Sequence, residues 1–300
     1  MQAAIQVEQI QKRFGKVQAV DQLSFEVQHG ELFGLIGPDG AGKTTLFRML
    51  TSLLIPDAGQ ASINGLDTVK DYKKIRKIIG YMPGKFSLYQ DLSVEENLNF
   101  FATIFGTSIE ENYHLIEEIY VQIEPFKKRR AGKLSGGMKQ KLALCCALIH
   151  QPEVLFLDEP TTGVDAVSRA EFWEMLKRIQ AKGISILVST PYMDEATLCD
   201  RIALMQNGKI LQIDTPTAIR SNYGAPLYAV RTEDFYRALQ ELRQQAFAKR
   251  VEPFGEYLHL TTNTDITDIG IRQYLEAQQH QSIEIKPIAA TIEDVFLQLM

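Results

Sequence analysis

Several things this 300-residue sequence has little of narrow what it can be. It carries three cysteines, Cys145, Cys146 and Cys199, in neither metal-ligand spacing nor an even set. That excludes a disulfide framework or a zinc cluster and reads as reduced, buried thiols. Its longest uninterrupted apolar run, Leu142–Ile149, is eight residues. A membrane-spanning helix needs about 20, so a role at a membrane requires docking onto other chains. The first residues, Met1 to Gln6, offer no basic cluster followed by an apolar core, so no secretory signal is expected. Nor is there an excess of cations: 32 Lys and Arg stand against 37 Asp and Glu, a formal charge of −5, which gives no argument for nucleic-acid binding. The single basic run, Lys127 to Arg130, reads as a solvated face or a general attraction for phosphates. His29, His114, His150, His259 and His280 form no constellation and read as surface or loop residues.

What is present is a core-forming composition, 45% hydrophobic, in an alternating pattern. The apolar runs 31–36, 154–157 and 184–188 read as buried strands, and 43–53 and 167–181 as helices. This alternation argues for an α/β domain with a largely parallel core sheet. Asn207-Gly208 between two apolar runs signals a hairpin, because both residues accept positive φ. From about 87 to 150 the pattern is mainly helical and opens with a capping box, Ser93 with Glu96, followed by Leu98, Phe101 and Phe105 at helical spacing. Pro, Gly, Ser and Asn accumulate between Thr215 and Pro226, which places a boundary there. We therefore expect domains at 1–222 and 223–300. The second reads β-α-β-β-α-β, the ferredoxin-like order, with its second helix over 265–278 and a last helix capped by Thr291.

The segment Gly37 to Thr45 (GPDGAGKTT) follows a strand and opens a helix, the context that G-x-x-x-x-G-K-[ST] requires. Gly37, Asp39, Gly40, Ala41 and Gly42 supply a loop whose N–H groups can curl around phosphate oxygens. The helix start adds its positive end. Lys43 is expected on the β- and γ-phosphates, Thr44 as a ligand of Mg²⁺ and Thr45 beside it. Downstream, the strand at 154–157 ends in Asp158-Glu159. Asp158 is the expected metal partner and Glu159 the group that orients or deprotonates an attacking water.

Ser135-Gly136-Gly137, before a helix-forming stretch, completes a set that resembles the ABC ATPases. The resemblance rests on the phosphate loop, this signature, the acidic strand and Pro160 to Asp165, and spans about 5–224. It implies a P-loop NTPase fold with a RecA-like core and a helical subdomain, with ATP and Mg²⁺ as ligands. It also implies two ATPase domains packed head to tail, each nucleotide held between one chain's phosphate loop and the other's signature. Ser135, Gly136 and Gly137 would then face the partner's γ-phosphate, and Asp165 would lie in an inter-subunit loop. Phe14 stands where the family stacks an aromatic on adenine, although a core position is equally open to it. The tail is similar to the accessory domain of drug- and antibiotic-efflux ABC ATPases, which serve separate transmembrane permease subunits from the cytoplasmic face of the plasma (inner) membrane. Residues Phe86, Leu88 and Tyr89 are candidates for the permease groove, or else pack within the helical insertion.

Two positions depart from the family pattern. Gly84 stands where the family has a Gln, and Gln90, six residues on, is too far to serve without a rebuilt loop. Pro191 stands where it has a His; proline offers neither an imidazole nor an N–H. Losing one such group costs about 10²–10³ in rate. Asp39 adds a carboxylate near phosphates, unfavourable unless it is turned outward or paired. These departures imply a slow site of its own, and pairing with a second ABC ATPase as the degenerate half of an asymmetric pair. A homodimer of low activity, a regulatory subunit without turnover, and a non-transport ABC ATPase of ribosomes or nucleic acid are the alternatives.

Overall fold

A computed structural model of the chain describes residues 3–263 and 266–300. The chain divides into two compact units, Met1–Pro216 and Thr217–Met300. The first begins with β1 (Ile5–Phe14), β2 (Val17–Val27), β3 (Leu32–Ile36), α1 (Lys43–Leu50), β4 (Ala58–Ile63), β5 (Leu66–Asp67), α2 (Tyr72–Ile78) and β6 (Ile79–Met82). The helical segment follows as α3 (Val94–Phe105), α4 (Ile109–Tyr120) and α5 (Gly136–Leu148). The core then resumes with β7 (Val154–Asp158), α6 (Ala166–Ala181), β8 (Ser185–Thr190), β9 (Arg201–Gln206) and β10 (Lys209–Asp214). A short helix, α7 (Pro216–Ser221), starts at the division.

Two sheets carry this unit. One is antiparallel, in the order β2-β1-β4-β5; the other runs β10-β9-β3-β8-β7-β6 and is parallel apart from its β10 edge. Every residue of β3, β7 and β8 is buried, which is why these strands read as continuous apolar runs rather than alternating ones. The sheet order places the C-terminal ends of β3, β7 and β8 side by side, with Ile36 opposite Thr190 and Asp158 opposite Ser189. Phe47 of α1 meets Phe156 of β7 edge to face at 6.0 Å, and both are fully buried. Each such side chain contributes about 1.5–3 kcal/mol of apolar burial, and the pair fixes α1 against the acidic strand.

Local signals explain the element ends. α1 stops at Leu50, short of the expected 53, because Ser52 adopts φ 59° and the N–H groups of Leu53 and Leu54 return to the Arg48 carbonyl at 2.8 and 3.0 Å. The Asn207-Gly208 hairpin forms as read, with φ 49° and 76°. Ser93 and Glu96 form their capping box at 3.2 and 2.7 Å. The buried amide of Asn97 ties the preceding loop to α3, donating to the Tyr89 and Ser93 carbonyls at 3.0 and 2.9 Å. The backbone of the basic run is held against the start of α3, Val94 N–H donating to Arg129 O and Glu95 N–H to Lys127 O.

The second unit, after α7, holds β11 (Leu227–Arg231), α8 (Phe235–Arg243), β12 (Ala248–Phe254), β13 (Tyr257–Thr262), α9 (Asp268–Ala277), β14 (Glu284–Pro287) and α10 (Ile292–Leu299). Its antiparallel sheet has the order β12-β13-β11-β14. The expected helix start at Asp265 lies outside the described residues; α9 begins at Asp268 behind the Thr267 cap. Two histidines expected on the surface are found inside instead. His280 is buried and pairs with Glu241 at 2.9 Å. His259 on β13 bonds the buried Asp294 at 2.8 Å and stacks on Phe254 at 3.9 Å. Both are structural members of this unit's interior, because each ring found a carboxylate that the sequence places 35 or more residues away.

Candidate functional site

The phosphate loop hangs between β3 and α1. Its curvature needs glycine: Gly40 and Gly42 adopt φ 81° and 102°, and a Cβ on Gly42 would lie 2.1 Å from the Ala19 carbonyl. Gly37 N–H donates to Thr190 O at 3.3 Å, anchoring the loop to β8. α1 starts at Gly42 without any side-chain cap, so its first N–H groups remain for an anion. Lys43 is 3% exposed and folds back over the loop, donating to the Gly37 and Pro38 carbonyls at 2.7 and 3.0 Å and pairing with Glu159 Oε1 at 3.1 Å. Gly40, Ala41, Gly42, Lys43, Thr44, Thr45 and Glu159 line one cavity of about 310 Å³, together with Val17, Gln18, Ala19 and Asn207. Asp39 is exposed and not part of that lining.

The acidic pair sits at the mouth of β7. Asp158 is buried and accepts a hydrogen bond from Ser189 Oγ at 2.7 Å. The same hydroxyl accepts from Glu159 N–H at 3.0 Å, so Ser189 fixes both acids. Glu159 adopts φ 50°, a left-handed conformation that turns the chain sharply after the strand and brings its carboxylate to Lys43. Carboxylate and hydroxyl oxygens at Asp158 and Thr44 are a hard donor set, which suits Mg²⁺. On β6, the Tyr81 hydroxyl has its pKa pushed up to about 12, by burial first and by the neighbouring Asp158 charge second.

Gly84 lies against this pair, where a Cβ would stand 3.0 Å from Asp158 O and 3.8 Å from Glu159 Cβ. Gln90 is elsewhere, its carbonyl accepting from Gly132 N–H at 2.9 Å. Pro191 directly follows Thr190, whose carbonyl holds the phosphate loop.

Ser135, Gly136, Gly137 and Asp165 gather at a different place. Ser135 caps α5, its Oγ accepting from Met138 N–H at 3.4 Å. Asp165 caps α6, accepting from Ser168 N–H at 3.0 Å. A Cβ on Gly137 would lie 2.8 Å from Ser168 Oγ, so the two helix starts are closely packed. None of these four residues lines the phosphate-loop cavity. Phe14 is 50% exposed, which removes the core alternative; its register partner Val17 lines the cavity while Phe14 does not.

A second, mostly apolar cavity of about 340 Å³ lies between the core and the helical segment, lined in part by Tyr81, Met82, Leu88, Phe101, Phe105 and Cys146. Of the three groove candidates only Leu88 lines it. Phe86 lies under Lys139, 5.5 Å from ring centre to Nζ, and Tyr89 packs edge to face on Phe100. Sequence reading missed Ser189, Val17, Ala19 and Asn207. Ser189 had a signal, a hydroxyl interrupting an apolar strand; the others had none, being far from the loop in sequence.

An ABC transporter family model matches residues 20–162. The chain is 38% identical over 301 residues to "Nod factor export ATP-binding protein I" of Burkholderia lata, covering 99% of this chain and 97% of that protein. This chain belongs to the family of ABC transporter ATP-binding proteins. It is also 41% identical over 223 residues to "Probable multidrug ABC transporter ATP-binding protein YbhF" of Escherichia coli, covering 73% of this chain and 38% of that longer protein. This ABC ATPase therefore spans about two fifths of that relative. Among solved structures, an ATP-binding subunit of an ABC transporter superposes with TM-score 0.67 at 28% identity, covering 74% of this chain and 93% of that one. CbiO1 of Clostridium perfringens superposes with TM-score 0.66 at 25% identity, covering 74% and 92%. The chain is thus homologous to ABC ATP-binding proteins named for multidrug transport and Nod factor export.

Proposed function

We propose that this ABC ATPase binds Mg·ATP in the phosphate-loop cavity and couples it to substrate export by separate transmembrane permease subunits. It does so as the degenerate half of an asymmetric pair with a second ABC ATPase. The observation carrying this reading is the separation of the two half-sites. Gly40 to Thr45 and Glu159 share one cavity, while Ser135, Gly136, Gly137 and Asp165 lie apart from it. A nucleotide held by the first set receives nothing from the second unless another chain supplies it. Ser135 to Gly137 would then complete the partner's site, and Asp165 would border the joint. Export as the direction of transport draws on the names of the relatives.

In the chain's own site Lys43 would leave Glu159 for the phosphates, and Thr44 and Asp158 would hold Mg²⁺, which neutralises phosphate charge. Glu159, released from Lys43, would orient the attacking water, with Asp158 kept in place by Ser189. Phe14 would offer its exposed ring to the base. Gly84, beside the acids, and Pro191 bring no side-chain donor, which supports slow turnover. The apolar cavity beside Leu88 suits a permease segment. No helix among the described residues is long and apolar enough to cross a membrane, which agrees with peripheral attachment at the cytoplasmic face of the plasma (inner) membrane. The second unit we assign as a ferredoxin-like accessory domain, on its strand order β12-β13-β11-β14 and on the helices that follow β11 and β13, with the ATPase domain ending between 216 and 222. The test is ATP turnover by the purified chain alone and with its partner ATPase. Slow turnover alone and fast turnover with the partner are expected; robust turnover alone, insensitive to Glu159→Gln, would refute the asymmetric pair.

A further inference from the structure

The cavity has two ends of different chemistry. Lys43, Thr44, Thr45 and Glu159 make a charged and hydroxylic end suited to phosphates and a metal. The rest of the lining includes Val17, Gln18, Ala19 and Asn207. The Gln18 amide is tied back by one N–H donated to the Val20 carbonyl at 2.8 Å. Asn207 is different. It is exposed, and among the described residues its side-chain amide has no hydrogen-bond partner. It sits at the tip of the β9–β10 hairpin, which the fold clamps onto the site. Gly208 N–H donates to Ala41 O of the phosphate loop at 3.0 Å, and Gly208 O accepts from Asp21 N–H of β2 at 2.8 Å. A Cβ on Gly208 would stand 3.0 Å from Ala19 O. A hairpin tip wedged this way fixes where the Asn207 backbone stands, and its side chain lines the cavity.

We propose that Asn207 is a nucleotide-selecting residue whose side-chain amide hydrogen-bonds the sugar hydroxyls of a nucleoside triphosphate in this cavity. A neutral amide offers both donors and an acceptor, which matches hydroxyls that themselves donate and accept. It brings no charge to compete with Lys43 for phosphate. The inference rests on the reading that this cavity holds ATP, and adds which group recognises the part of ATP that is not phosphate.

The variant Asn207→Gly isolates the amide, because glycine adopts the positive φ of this turn without cost and keeps the hairpin. Affinities of the full chain for ATP, 2′,3′-dideoxy-ATP and inorganic tripolyphosphate, each with magnesium, are compared for the unaltered chain and N207G. ATP should weaken about five- to tenfold, the value of one or two neutral hydrogen bonds, while the other two ligands keep their affinities. ATP binding that N207G leaves unchanged, or equal weakening of all three ligands, overturns the assignment of Asn207. Absence of ATP binding by the unaltered chain overturns the nucleotide reading itself and the assignment with it.

Discussion

The starts of α1 and α5 are both rich in glycine and both point N–H groups outward, yet the fold treats them differently. At α1 the cap is Gly42, at φ 102°, and no side chain occupies the free N–H groups. Lys43 lies folded onto two carbonyls and Glu159, a counter-charge held inside the loop. At α5 the Ser135 hydroxyl bonds its own helix, at the long distance of 3.4 Å, and the glycines serve close packing on the start of α6. The first start carries no side-chain cap and has a cation folded beside it; the second is a helix end lightly capped by Ser135. A receptor and an offered helix end on one chain, with no shared cavity, are the arrangement on which the proposed pairing with a second chain rests.

Changing each side separately sharpens this contrast. The largest effect is expected at the receptor. Pro191→His combined with Gly84→Gln should raise turnover of the chain's own site by about 10²-fold, measured with a partner whose own catalytic glutamate is neutralised. A Gln at 84 requires the loop to yield slightly, since its Cβ would sit 3.0 Å from Asp158 O. Unchanged turnover would mean that these two positions do not limit the site. Next comes the offered end. Gly137→Ala forces a methyl against Ser168 and should lower stability by about 1–3 kcal/mol, seen as a lower Tm. It should reduce partner-dependent turnover while leaving this chain's ATP affinity intact; a loss of that affinity would merge the two ends into one site.

The smallest effect belongs to the second unit and serves as a control that touches neither end. Burial alone would raise the Asp294 carboxyl, but hydrogen bonds from His259 and Thr291 outweigh it and hold the group below the ordinary carboxylate range. Its folded-state value lies under its unfolded one, so its stabilisation is complete above about pH 4 and fades as pH falls through the depressed value. Asp294→Asn should lower the Tm modestly at neutral pH and flatten the acid-side loss in a thermal-melt series. An unaltered acid slope would show that the His259–Asp294 contact contributes nothing.

Much of the site is legible in the sequence alone, because its signals are local. The strand–loop–helix context of Gly37 to Thr45, the acids closing β7 and the caps Ser93 and Thr291 involve residues within a few positions of one another. Burial of groups that must find distant partners is not legible there. His280 reads as a surface residue until Glu241 is brought to it. Phe86 and Tyr89 read equally as groove residues or as packed within the insertion, and only the fold sets Lys139 and Phe100 against their rings.

By itself the sequence determined the chemistry available: which residues can cradle phosphate, which can ligate a metal, which helices begin where, and which two expected donors are missing at Gly84 and Pro191. Backbone conformation and capping depend on near neighbours, so such features are written where they act. Only the tertiary structure decided that Lys43 rests on Glu159, that Ser189 holds both acids, that Asn207 lines the phosphate-loop cavity, and that the signature stands apart from it. Those juxtapositions join residues far apart in the chain, as where Gly208 of the hairpin donates to Ala41 of the phosphate loop. They follow from the order in which strands pack, and that order is set by burial of whole faces rather than by any short run of residues.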